Sequence, residues 1–86
     1  MLIKRYFTYI LECSDGTLYV GSTNNLEKRL REHNHAKSGA HYTKIRRPVV
    51  LKYHEELKSL KEARAREVSL KRLTRKEKLE LIGLIE

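Results

Sequence analysis

With 86 residues, the chain is at the small end of what one domain needs, so a single compact unit with a small core is expected and a separate recognition domain has no room. Hydrophobic residues at 40% and charged residues at 35% fit a folded soluble domain rather than a disordered tail. Nineteen Lys and Arg against eleven Asp and Glu give a net charge of +8; on so short a chain this makes a surface that attracts polyanions, although a charge that merely solubilises would look the same.

The opening residues, Met1-Leu2-Ile3-Lys4-Arg5, contain no apolar run of signal-peptide length, so a cytoplasmic protein is expected. Tyr6 to Cys13 are rich in aromatic and β-branched types, and Ser14-Asp15-Gly16 then carries the Asp-Gly signal of a hairpin before Thr17 to Gly21. Two antiparallel strands follow from this pattern. The lone Cys13 can form no internal disulfide, and its spacing to His35, His41 and His54 matches no structural zinc pattern.

Asn24 with Glu27 three residues later resembles a capping box, and Leu26 and Leu30 give the following helix an apolar stripe through about His33. From Asn34 to Pro48 the periodicity lapses into a basic surface loop, whose Lys37, Lys44, Arg46 and Arg47 are candidate phosphate contacts. Val49 to Glu55 reads as a third strand. Ser59 with Glu62 and Thr74 with Glu77 then repeat the capping spacing, heading one helix to about Leu73 and a last one from about Arg75, with Leu79, Ile82 and Ile85 at helical spacing. No apolar stretch, including Val49–Leu51 and Leu81–Ile85 with Gly83 inside it, approaches the roughly 20 residues of a membrane span. The order β-β-α-β-α-α predicts an α+β domain with one small three-stranded sheet and flanking helices.

Within that frame, Tyr9, Tyr19-Val20-Gly21-Ser22-Thr23, Arg29 and His33 form a polar and aromatic set that packing alone would not select. Phosphodiester hydrolysis needs a water deprotonated and charge on the phosphoryl oxygens stabilised. Tyr9 and Tyr19 are candidates to order or deprotonate the water, with neither favoured. A tyrosine serves as a base only where its surroundings relieve a reference pKa near ~10. Arg29 and His33, four residues apart, share a helix face and could hold one phosphate. Glu67 recurs at helical spacing with Leu60, Ala63 and Leu70, which puts a carboxylate in or beside an apolar stripe where, unpaired, it would be costly. One Mg²⁺ or Mn²⁺ ion on Glu67 would relieve that cost, because such ions take oxygen donors and often only one or two carboxylates; an ordinary ion pair with Arg64 or Lys71 would do so equally.

Taken together, these residues resemble the GIY-YIG nucleases, and among them the small bacterial members similar to the catalytic domain of the excision-repair nuclease. Phe7-Thr8-Tyr9 stands for the first motif, Tyr19-Val20-Gly21 for the second, Arg29 and His33 for the helix residues and Glu67 for the metal-binding glutamate. The resemblance implies a central antiparallel sheet, one divalent metal and cleavage of DNA. Ser22, a further candidate nucleic-acid contact, stands where the excision-repair relatives have a lysine, and no asparagine follows Asn34. Two other readings stay open at this stage: a basic nucleic-acid-binding module with this fold and little turnover, and a helix-turn-helix reader built from the last two helices.

Overall fold

The computed structural model describes residues 5–37 and 40–83. In chain order the elements are β1 (Tyr6–Glu12), β2 (Leu18–Thr23), α1 (Leu26–His35), α2 (His41–Lys44), β3 (Val50–Leu57), α3 (Leu60–Lys71) and α4 (Arg75–Gly83). The α+β class and the expected order hold, with one addition: the stretch read as loop contains the four-residue α2. Ile85, expected on the last helix, lies outside the described residues.

The hairpin forms as the Asp-Gly pair predicts. Gly16 has φ +83°, a conformation that favours glycine. Its N–H donates to the Cys13 carbonyl at 2.9 Å, while Asp15 Oδ1 accepts from the Thr17 N–H and hydroxyl at 3.1 and 2.6 Å. At the start of α1 the cap is Asn25, not Asn24. The Thr23 hydroxyl accepts the Asn25 N–H at 3.1 Å and delays the helix by one residue, so that Asn25 Oδ1 accepts from the Lys28 N–H at 3.1 Å. Glu27 then sits in the first turn, where the helix dipole favours it.

All three strands pair antiparallel in the order β2-β1-β3. The central position of β1 explains its sequence: both edges are hydrogen-bonded and both faces covered, so Thr8, Tyr9, Ile10 and Leu11 are all buried. Alternate residues serve opposite layers. Tyr9 and Leu11 pack with Cys13 and Val49, under Leu26 and Leu30 of α1 and Tyr42 of α2. Ile10 packs with Val20 and Tyr53 against Leu70 of α3 and Ile82 of α4. Thr8 faces that second layer as well, and its hydroxyl donates to the Ala63 carbonyl at 2.7 Å, tying α3 to the middle of the sheet. The β1–β3 register shifts between Ile10 and Leu11.

Two apolar positions depart from the expected stripes. Leu60 is 40% exposed and Leu79 42% exposed. In α4, Leu79 and Leu81 are two residues apart and cannot share a face; Leu81 and Ile82 meet the core, leaving Leu79 outside. No helix among the described residues is long and apolar enough to cross a membrane.

Leu70 is fully buried between α3 and the sheet, so Leu70→Ala should lower unfolding free energy by about 2–5 kcal/mol in urea titration, through lost transfer energy and the cavity left behind.

Candidate active site

Tyr9 leaves β1 on the α1 side, directly opposite Gly21 of β2. A Cβ at position 21 would lie 2.5 Å from Tyr9 Oη and 2.6 Å from Cζ, so the glycine leaves the space that the phenol tip occupies. There Tyr9 Oη is 2.8 Å from His33 Nε2. On the other side of the imidazole, Nδ1 is 2.7 Å from Thr43 Oγ1, and the Thr43 hydroxyl donates to the Ala40 carbonyl at 2.9 Å. Arg29, one turn before His33 on α1, lies near enough to Tyr9 for its charge to favour the phenolate and pairs with Glu32 at 3.2 Å.

Burial shapes the chemistry of this cluster. It pushes the Tyr9 phenol up to about 12, with the nearby Tyr19 and Glu67 adding to the rise and Arg29 opposing it. It pushes His33 down to about 4, and the charges of Arg29 and Arg47 add to that fall. At neutral pH both groups are therefore uncharged, and a single proton lies between Oη and Nε2.

Tyr19 stands beside this pair without joining its hydrogen bond. Its ring meets His33 edge-on at 5.1 Å and stacks on Tyr42 at 5.9 Å, and the Arg46 guanidinium lies 3.9 Å over the other ring of that stack, Tyr42. The two tyrosines left equivalent by the sequence are thus distinguished by their contacts: Tyr9 is in the hydrogen-bonded chain, and Tyr19 walls it.

Glu67 approaches from the opposite layer. Ser22, beside Gly21 and paired across strands with Thr8, donates to Glu67 Oε1 at 2.7 Å, while Lys71 Nζ holds Oε2 at 2.7 Å. The Thr8 bond to Ala63, four residues before Glu67, fixes the height of α3 at which this contact occurs. Burial works to raise the Glu67 pKa, but the hydrogen bonds from Lys71 and Ser22 outweigh it and hold the carboxylate below its ordinary range. The ion pair weighed in the sequence therefore forms, with Lys71. Among the described residues no group of three or more His, Cys, Asp or Glu converges. The donor set accordingly fits no zinc-type centre, but it fits one hard cation that takes a single carboxylate and fills its remaining positions with water and phosphate.

The basic loop is partly consumed by the fold. Arg47 donates from Nε to the His33 carbonyl at 2.6 Å, and from Nη2 to Ala36 at 2.6 Å and Glu32 at 3.1 Å, so its guanidinium closes the C-terminus of α1. Arg46 pairs with Asp15 at 3.0 Å and donates to the Tyr42 carbonyl at 3.1 Å. Lys37 is exposed and Lys44 half-buried on the same segment. Sequence reasoning missed Thr8 and Thr43 as site-building residues, and Arg47 as a cap. For Thr8 a signal existed, a hydroxyl in an otherwise apolar and aromatic run.

A three-stranded sheet that sets a tyrosine, an arginine and a histidine against one face and a glutamate against the other defines a compact polar centre at the edge of β2. The family model described as the GIY-YIG catalytic domain matches residues 5–80, and the chain belongs to that family of nuclease catalytic domains. It is 54% identical over 80 residues to a UPF0213 protein of Syntrophus aciditrophicus (strain SB), spanning 93% of this chain and 92% of that one. With UPF0213 protein CPE1444 of Clostridium perfringens it shares 51% identity over 77 residues, 90% of this chain and 82% of the relative. Among solved structures, the NMR structure of the UPF0213 protein BH0048 from Bacillus halodurans aligns over 93% of this chain and 84% of its own, with TM-score 0.59 and 36% identity. The NMR structure of EF2693 from E. faecalis does so over 94% and 86%, with TM-score 0.62 and 36% identity.

Because Tyr9 is 2% exposed and cannot swing away cheaply, Gly21→Ala should displace the phenol from His33 and destabilise the fold by about 1–3 kcal/mol in urea unfolding. The His33 proton gives a second expectation. The unfolded chain takes it up near pH 6.5 and the folded chain at about 4, so the stability that neutral His33 contributes is complete above pH 6.5 and is lost as pH falls toward 4. The urea midpoint should drop across that window, and drop less in His33→Gln.

Proposed function

We propose that the protein is a cytoplasmic, metal-dependent endonuclease that hydrolyses phosphodiester bonds in DNA. The observation that carries this reading is the Tyr9–His33 contact at 2.8 Å, lying beside Arg29 and within the field of Glu67. A free phenolate at Tyr9 is out of reach at neutral pH, since burial holds its proton to about 12. Tyr9 acts as a base only if its own proton leaves as it accepts one from water. In that step a water O–H bond breaks and a Tyr9 O–H bond forms, while the original phenol proton passes to His33 Nε2. The hydroxide attacks phosphorus, the bridging P–O bond breaks, and the departing alkoxide takes a proton from a solvent water, to which the His33 imidazolium returns the proton it accepted.

His33 is a weak base in the free protein because it is buried near Arg29 and Arg47. A phosphate drawn to Arg29 offsets that repulsion with its own negative charge, so substrate binding raises the basicity of His33 when it is needed. Glu67 and the adjacent Ser22 would hold one Mg²⁺ or Mn²⁺ ion, which supplies stabilisation of charge on the phosphoryl oxygens. Lys71 would leave the carboxylate as the ion is bound. Lys37 and Lys44 contact flanking phosphates, and Arg46 and Arg47 contribute charge to the same surface while holding the loop. Tyr19 orders the water and the ring of His33.

One observation favours a second reading. Both Glu67 oxygens already have partners, Ser22 and Lys71, which suits a nucleic-acid-binding module that has kept the fold without turnover. Cleavage of labelled branched and linear DNA separates the two, using wild type and Glu67→Gln with magnesium, with manganese and with chelator. Metal-dependent cutting that falls on the order of 100-fold or more in the variant, the size expected when a transition-state electrostatic contact is lost, supports the nuclease. Equal backgrounds with retained, salt-sensitive binding support the module.

A further inference from the structure

For the proton of Tyr9 to pass to His33, the imidazole must present a lone pair at Nε2 and carry its own proton at Nδ1. A neutral imidazole has two tautomers, and in isolation neither the 2.8 Å Tyr9 contact nor the burial of the ring selects between them. A tyrosine hydroxyl can donate to Nε2 or accept from it. The partner of the other nitrogen makes the selection.

We propose that Thr43 is the positioning residue that sets the His33 tautomer and so aims the Tyr9 proton at Nε2, a role that rests on the proton path proposed above. A threonine hydroxyl has one hydrogen, and at Thr43 that hydrogen is spent on the Ala40 carbonyl at 2.9 Å. What faces His33 Nδ1 at 2.7 Å is therefore a lone pair of Oγ1. Nδ1 must donate to it, Nε2 is left as acceptor, and Tyr9 donates. The donor sequence runs in one direction, from Tyr9 to His33 to Thr43 to the Ala40 carbonyl, and every buried side-chain polar atom among the described residues has a partner. Turning the Thr43 hydroxyl toward Nδ1 instead would set its oxygen lone pairs against those of the Ala40 carbonyl 2.9 Å away, at a site where His33 and Thr43 are both fully buried and such a conflict is not relieved by water.

The surroundings of Thr43 fit this role. It sits in the four-residue α2, whose backbone closes on Ala40 through the Thr43 and Lys44 N–H groups at 3.1 and 3.0 Å. The same turn is braced from outside by Arg46, which donates to the Tyr42 carbonyl and lies over its ring. The Ala40 carbonyl is thereby held where the Thr43 hydroxyl reaches it. The same arrangement explains why a residue ten positions after His33, in a stretch without helical periodicity, is fully buried. As His33 takes up the Tyr9 proton at Nε2, its Nδ1–H remains on Thr43, and the imidazolium forms without any reorganisation of that bond.

The test uses the full chain labelled with ¹⁵N on histidine, in wild type, Thr43→Val and Thr43→Ser. Long-range ¹H–¹⁵N correlation at pH 7 distinguishes a protonated Nδ1 from a protonated Nε2 without substrate, metal or turnover. Wild type and Thr43→Ser should show His33 protonated at Nδ1, and Thr43→Val, which keeps the shape but removes the hydroxyl, should shift toward the Nε2-protonated form. An Nε2-protonated His33 in wild type, or an unchanged tautomer in a folded Thr43→Val, overturns the assignment. DNA cleavage should fall about 10- to 100-fold in Thr43→Val, the usual size for loss of a residue that orients a reacting group, with binding unchanged and activity restored by Thr43→Ser. Should Thr43→Val fail to fold, the wild-type tautomer still decides. If wild type and Glu67→Gln are equally inactive, the nuclease reading fails while the tautomer result stands on its own.

Discussion

The arrangement depends on a single constraint, the burial of β1 on both faces. A strand with layers above and below must send alternate side chains into different surroundings, and β1 uses this to separate two tasks. Tyr9 goes to the α1 layer and meets His33; its neighbour Thr8 goes to the α3 layer and holds the turn of helix from which Glu67 projects. The two halves meet around the edge strand β2, where Gly21 gives way to the Tyr9 ring and Ser22 reaches Glu67. Moving β1 by one residue would exchange the layers and separate every partner.

The electrostatics follow from where these groups are buried. A phenol held to about 12 and an imidazole held to about 4 are both poor participants in proton transfer when taken singly. The imidazole is kept neutral first by burial and then by the nearby Arg29 charge, and Arg29 is the group a phosphate would seek. The Tyr9–His33 pair is thus uncharged where both groups are buried, while the carboxylate that keeps its charge lies half-buried and held by Lys71.

What could be read from the sequence was whatever is encoded locally. The Asp15-Gly16 turn sets the hairpin, four-residue spacing puts Arg29 and His33 on one side of a helix, and a carboxylate interrupting Ala63 and Leu70 draws attention to Glu67. Each is visible within a dozen residues. Asn24 and Asn25 are equally good caps by sequence, and the choice between them falls to a hydroxyl on Thr23. Thr43 and Arg47 were opaque for a different reason: each acts on α1 from 10 to 15 positions away, through a side-chain contact that leaves no periodic trace. The loop arginines looked like surface charge because composition cannot distinguish a guanidinium that faces solvent from one that faces three carbonyl groups.

The Arg47 cap has a consequence for how this molecule opens. Its guanidinium gathers the carbonyls of Glu32, His33 and Ala36, at the C-terminus of α1, and Asn34 exchanges two hydrogen bonds with the backbone of Val49 just beyond it. The end of α1 is therefore tied both to Arg47 and to Val49 just before β3, so releasing Arg47 strips a partner from three carbonyl groups at once. His33 supplies one of them. Opening of the Arg47 contacts is therefore expected to expose the His33 imidazole together with the last turn of its helix.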